Sequence, residues 1–157
     1  MTAELNHTII WSTDQERSAA FLADVLNRSA PKRIGRFSVV ELDNGVAMDF
    51  ATPDKEITPQ HYAFLVDDDG FDHGMRSIMA HKLPYWADPA RTRLNEINHK
   101  DGGRGVYFSD PDGHLLELIT IPYGGSGLVS PRDRNASARS TSVPKRPIWE
   151  KWFREGR

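Results

Sequence analysis

Apolar and polar positions fall into the same order twice along this chain. The run LNHTIIW (5–11) meets Ser12-Thr13-Asp14, a helix-start signal, and QERSAAFLADVLN follows with Ala20, Phe21, Val25 and Leu26 at mixed three- and four-residue spacings. That pattern predicts a strand, then a helix. Pro31 and Gly35 separate this helix from FSVVEL, which alternates up to the turn Asp43-Asn44-Gly45, and VAMDFA returns as its hairpin partner. After a connector with two prolines (52–59) the order restarts. QHYAFLV predicts a strand and Asp67–Asp69 a helix start. GFDHGMRSIMAHK then predicts a helix with Phe71, Met75, Ile78 and Met79 on one face. A polar loop from Pro84 to Asp101 leads to a second hairpin, GVYFSDPDGHLLELIT.

Laid over each other, NHTIIWSTD matches QHYAFLVDD, which sets His7 opposite His61. Gly45 and Gly113 become the two turn glycines, and Asp49 and Glu117 each follow at the fourth position. Repetition of the same polar positions is the mark of a duplicated unit. Side chains alternate along a strand, so His7 shares a face with Ile9 and Trp11, His61 with Ala63 and Leu65, and Glu117 with Leu115 and Ile119. Both faces of these strands are apolar. A helix layer on one side and a closed cavity on the other is therefore expected, with His7, His61 and Glu117 facing that interior. A carboxylate amid Leu115, Leu116, Leu118 and Ile119 is costly to desolvate unless a cation compensates it. Tyr107 and Glu117 are equidistant from Asp112, so a symmetric hairpin pairs them.

Composition narrows the classes. The chain has 157 residues and no cysteine, which excludes disulfides and thiolate metal sites. No apolar run approaches the ~20 residues of a membrane span. The start, MTAELNH, has no basic-then-apolar leader pattern, so a cytoplasmic protein is expected. The net charge of −2 divides into a body of −7 and a tail (124–157) of +5. An acidic body is a poor nucleic-acid platform.

The residues quoted above resemble the vicinal oxygen chelate superfamily: glyoxalases, bleomycin-resistance proteins, fosfomycin-resistance enzymes and extradiol dioxygenases. The resemblance runs from residue 4 to about 123. It implies an α+β fold of two βαβββ modules (about 1–57 and 58–123) forming a cupped mixed sheet around a divalent metal. His7, His61 and Glu117 fall on the ligand positions. Asp49 falls on the fourth position, where glyoxalase I carries Glu, and is expected outside the metal shell as an outer acceptor or a partner of Arg36 or Lys32. Two imidazoles and a carboxylate suit Fe(II), and also accommodate Mn, Zn, Ni or Co. The stretch Ile97-x-His99, Val106-Tyr107, Asp110-Pro111-x-Gly113, Glu117 resembles the extradiol ring-cleaving branch. In that branch the His handles a proton and the Tyr bonds a substrate oxygen, which implies catalytic roles for His99 and Tyr107.

The resemblance thus implies an Fe(II) dioxygenase that cleaves a catechol-like aromatic diol with dioxygen, working as a homodimer without nucleic-acid or membrane partners. Two alternatives belong to the same superfamily. One is a glyoxalase-like isomerase or a thiol transferase using another divalent metal. The other is a metal-free protein that sequesters an aromatic ligand or drug. His73 and His81 are expected on a solvent face, and His114 points away from Glu117 by parity. The tail begins as a Gly/Ser linker and ends with Ile148, Trp149, Trp152 and Phe153 at helical spacing, which predicts a short terminal helix.

Overall fold

The structure is a computed structural model that describes residues 3–124, so the expected terminal helix lies outside the described residues. Its elements run β1 (His7–Trp11), α1 (Gln15–Val25), β2 (Lys32–Ile34), β3 (Phe37–Glu41) and β4 (Ala47–Ala51). The second set is β5 (His61–Leu65), α2 (Asp68–Ala80), β6 (Tyr85–Trp86), β7 (Gly105–Ser109) and β8 (Leu115–Ile119). Each set is one βαβββ module. The short strands β2 and β6 were not separable from their surroundings in the sequence.

Local chemistry fixes the boundaries. Asp14 caps α1 by accepting from the Arg17 amide at 3.0 Å, and Asp67 caps α2 by accepting from the Gly70 amide at 2.8 Å. Asp68 and Asp69 in the first turn of α2 oppose its positive end. Gly45 (φ +83°) and Gly113 (φ +85°) close the β3–β4 and β7–β8 hairpins in the left-handed region that a side chain disfavours.

The strands form two four-stranded sheets, ordered β1-β4-β3-β2 and β5-β8-β7-β6. In each, the first strand runs parallel to the last strand of its module and the hairpin is antiparallel. The register repeats: His7 pairs with Ala47 and His61 with Leu115, so Asp49 and Glu117 each lie two residues beyond the partner of a histidine. The duplicated polar positions are thus equivalent in space as well as in sequence.

Both helices share one apolar core with the two sheets, built from Phe21, Leu22, Val25, Phe50, Phe71, Ile78, Phe108 and Leu118 among others. Gly74 lets α2 approach β8 closely, since a Cβ there would collide with Leu118. Met79, expected on the packed face of α2, is 54% exposed, and Ser77 is buried in its stead against Asp24 of α1. Polar bridges join the modules at the ends of the helices. Asp112 in the β7–β8 turn accepts from the Thr13 amide at 2.8 Å and hydroxyl at 2.5 Å, and from the Ser18 hydroxyl at 2.6 Å. His114, 1% exposed, accepts at Nδ1 from the Gln60 amide (2.9 Å) and donates from Nε2 to the Trp11 carbonyl (2.8 Å).

Among the described residues the second face of each sheet is not closed over, which corrects the expected closed cavity. His7, His61 and Ala63 are exposed there, and Ile9 is 37% exposed. Among the described residues, β1 and β5 each form one edge of their sheet, with β2 and β6 at the other edges.

Candidate metal centre

Glu117 is the most constrained polar group on the open face of the second sheet. It is 0% exposed, sits mid-strand on β8 and is paired directly with Tyr107 on β7, as hairpin symmetry requires. Its Oε1 accepts a hydrogen bond from the Tyr123 hydroxyl, which is itself 2.5 Å from the Tyr107 hydroxyl. Because Tyr123 donates to Glu117, Tyr107 donates to Tyr123. The other oxygen, Oε2, has no hydrogen-bond partner.

His61 faces that oxygen. Its Nδ1 lies 2.9 Å from the Leu115 carbonyl, an acceptor only, so Nδ1 donates and the lone pair of the neutral ring resides on Nε2. Nε2 is 3.3 Å from Glu117 Oε2. Two lone pairs aimed at each other repel unless a cation, a proton or a metal, lies between them. Ligand atoms at about 2.1 Å from one metal subtend ~3.0–3.4 Å between octahedral and tetrahedral geometry. The pair therefore fits two positions on one metal ion, with the second histidine nitrogen oriented by a backbone carbonyl as metal-binding imidazoles require. The Tyr107 ring stacks beside His61 with centroids 6.1 Å apart. Burial first, then the Glu117 carboxylate and Tyr123, push the Tyr107 phenol above its ordinary pKa, so it stays protonated.

The equivalent pair in the first sheet is His7 and Asp49. Asp49 is 3% exposed, and its Oδ1 has no hydrogen-bond partner. Burial raises its pKa, opposed by nearby His7. The expected pairing of Asp49 with Arg36 or Lys32 is not found: Lys32 bonds Glu41 at 2.8 Å, and the Arg36 guanidinium sits 5.2 Å over the Phe37 ring. Strand position gives a residue's face but not its neighbour; the outer-acceptor alternative is untouched by this. His7 Nδ1 lies 2.9 Å from Asn6 Oδ1.

The structure thus brings His61, Glu117 and Tyr107 together. It leaves His7 with Asp49 on the other sheet. Among the described residues no three His, Asp or Glu side chains converge as a metal-binding group. His99 lies exposed in the loop before β7, with Nδ1 3.2 Å from the Gly103 carbonyl, and makes no hydrogen bond to Tyr107 or Glu117 among the described residues. His73 is half-buried rather than fully solvated and bonds the Asp24 carbonyl at 2.8 Å, while His81 is exposed and 3.1 Å from Asp24 Oδ2. Tyr123 was missed in the sequence. It follows Pro122 beyond the end of β8, where strand periodicity no longer carries information.

Comparison with known proteins bears on the family and the fold. The family model described as Glyoxalase/Bleomycin resistance protein/Dioxygenase superfamily matches residues 4–118. The solved structure of "Oxidase ChaP-H1" is 55% identical with a TM-score of 0.77, covering 79% of this chain and 100% of that one. "Oxidase ChaP-H2" is 52% identical with a TM-score of 0.78, covering 81% of this chain and all of that one. Among curated proteins, "Glutathione transferase FosA" of Serratia marcescens is 26% identical over 124 residues, covering 75% of this chain and 81% of its own length.

Proposed function

The chain belongs to the glyoxalase/bleomycin resistance protein/dioxygenase superfamily, and on that premise we propose that it is a divalent-metal oxygenase of the extradiol type, acting on a catechol-like diol with dioxygen. The observation that carries the metal is the convergence of the His61 Nε2 lone pair on the partnerless Oε2 of buried Glu117, 3.3 Å apart. The oxidase neighbours, at 55% and 52% identity, support oxygen chemistry over the thiol transfer of the relative at 26%.

His61 and Glu117 supply two ligands, and His7 is the third. Within one chain His7 stands on the other sheet, so we assign the complete site to two copies, with β1 of one copy beside β5 of the next. Both are edge strands, and edge strands with exposed backbone groups invite such pairing. Glu117 then serves the copy that lends His7, and a homodimer holds two sites.

Fe(II) fits the donor set of two imidazoles and one carboxylate, and when bound it would activate both diol oxygens and offer a place for dioxygen. The chain's own residues do the rest. Tyr123 holds Oε1, so Glu117 presents Oε2 alone, which keeps coordination positions open for a chelating substrate. The Tyr107 hydroxyl gives its one proton to Tyr123, so its oxygen is an acceptor for a substrate hydroxyl held beside Glu117. His61, Ala63, Leu65, Leu115 and Ile119 line the same face and exclude water from an aromatic ring lying on it. His99, in the loop leading to β7, is the group assigned to proton transfer.

The test is anaerobic purification, elemental analysis and oxygen uptake with a panel of catechols. About one iron per chain with diol-dependent oxygen consumption is expected. A reconstituted metal site that consumes no oxygen but adds thiols to an epoxide would replace this reading with the transferase. A chain that takes up no metal would end it.

A further inference from the structure

The structure assigns a second recognition element to the open face of the β5–β8 sheet: Arg91, laid over Trp86, as a seat for an acidic group at the far end of the substrate. The assignment rests on the proposed function only for where the reacting end lies.

Trp86 on β6 pairs directly with Tyr107 on β7, and Tyr107 with Glu117 on β8, so the three side chains share one face along one rung of the sheet. Two strand spacings place Trp86 on the order of 10 Å from the carboxylate of the metal centre. The Arg91 guanidinium lies 5.0 Å over the Trp86 ring, and its Nη2 donates to Ser109 Oγ at 3.0 Å. Ser109 is two residues from Tyr107 and on the same face. The bond to Ser109 uses one of the guanidinium's five N–H donors.

The loop is built to hold this side chain. Asp88 accepts from the amides of Thr92 (3.1 Å) and Arg93 (2.9 Å), pinning the turn, and Arg91 itself adopts φ +60°, a conformation that a residue with a side chain disfavours. Strain of this kind persists where the surroundings over-determine it, and it collects at binding sites. Arg93, two residues on, has acidic neighbours, Asp88 and Glu96, at 4.0 Å each. Among the described residues no carboxylate pairs with Arg91. A cation fixed on the face of the metal centre without an anion of its own is a complement for a carboxylate or phenolate on the ligand. The substrate class that follows is an aromatic diol with an acidic group about 10 Å from the diol's binding point.

Calorimetric titration of the full chain tests this with 3-phenylpropionate, which has the acidic group and no diol, and with its primary amide, which keeps the shape and loses the charge. Wild-type protein is expected to bind the acid at least about tenfold more tightly, the scale of one charge-assisted pair. Arg91→Ala is expected to erase that preference and Arg91→Lys to keep part of it, both with unchanged circular dichroism. Equal binding of acid and amide, binding of neither, or a preference that survives Arg91→Ala overturns the assignment. The corresponding catechol acid and amide, titrated anaerobically into metal-loaded protein, read the reacting end separately. A catechol that adds no affinity contradicts the metal-chelate reading and leaves the Arg91 preference intact.

Discussion

Replacing Glu117 with Met separates stability from metal binding and sets the two against each other. Glu117 is wholly buried, and Oε2 has no hydrogen-bond partner. A buried acceptor left unsatisfied costs about 1–3 kcal/mol, and an apolar side chain of similar volume removes that cost. The opposing loss is the Tyr123 bond to Oε1. Tyr123 is 52% exposed, so its hydroxyl regains water and the loss is discounted. The balance for metal-free protein is a gain of about 1–2 kcal/mol, or roughly 2–8 °C in Tm for a chain of this size. Metal reverses the order. At a free concentration one hundred times its dissociation constant it stabilises wild-type protein by about 2.7 kcal/mol, and the Met variant by nearly nothing. Urea or thermal unfolding of chelator-treated and metal-loaded samples of both proteins gives all four values. A metal-free Met variant less stable than wild type would show that Glu117 is held by its own contacts with Tyr123 and His61. A Met variant that keeps the full metal-induced shift would refute its role as a ligand.

Other outcomes follow from the same geometry. Mixing inactive His7→Ala and Glu117→Ala chains should restore about a quarter of wild-type activity if the site is shared, because half the random dimers are mixed and each mixed dimer has one intact site; a site within one chain restores none. Tyr123→Phe should weaken metal binding about tenfold in a chelator competition, through loss of the bond that orients Glu117. The Tyr107 phenol, pushed above its ordinary 10.0 by burial and by Glu117, should give no phenolate absorbance in a spectrophotometric titration of native protein. Its contribution to stability is fully present below the unfolded value and is lost as pH rises through the folded one. Asp112→Ala should cost about 1–3 kcal/mol in urea unfolding, having lost bonds to Thr13 and Ser18. Burial raises the Asp112 pKa, but the bonds from Ser18 and Thr13 outweigh it and hold the group below 3.8; its stabilisation is present above that value and is lost as pH falls through the folded one.

Much of this was legible in the chain because period-two alternation and duplication report on faces and on equivalent positions. The offset between each histidine and its carboxylate, the Tyr107–Glu117 pair and the two hairpin turns all follow from counting along strands. What counting does not report is which surfaces meet. Strands of three and two residues, β2 and β6, are too short to show a period. Arg36 and Lys32, expected as partners for Asp49 beside an outer-acceptor role, contact other neighbours, because a residue's face does not tell which side chain meets it. Met79 matched the helical stripe, yet α2 meets α1 through Ser77 and Asp24, so the packed face is rotated away from it. Tyr123 lay past the last strand, where no pattern marks a side chain that folds back onto the sheet.

The placement of the two half-sites has one more physical consequence. Each module carries a buried carboxylate with an oxygen lacking a partner, Asp49 Oδ1 in the first and Glu117 Oε2 in the second, each beside a histidine at the same register offset. A fold that sought only stability would have filled both positions with apolar residues. Keeping both argues that each face is completed by something beyond the described residues, and the bridges from Asp112 and His114 tie the modules together through the α1 start and the β7–β8 turn. If a second copy brings β1 beside β5, Asp49 would come to the same site as Glu117, one methylene shorter than a glutamate. There Asp49 would be an acidic neighbour of the site, its buried Oδ1 available as a hydrogen-bond acceptor. Extending residue 49 by one methylene, Asp49→Glu, would then be expected to add a ligand and tighten metal binding, which a chelator competition reads.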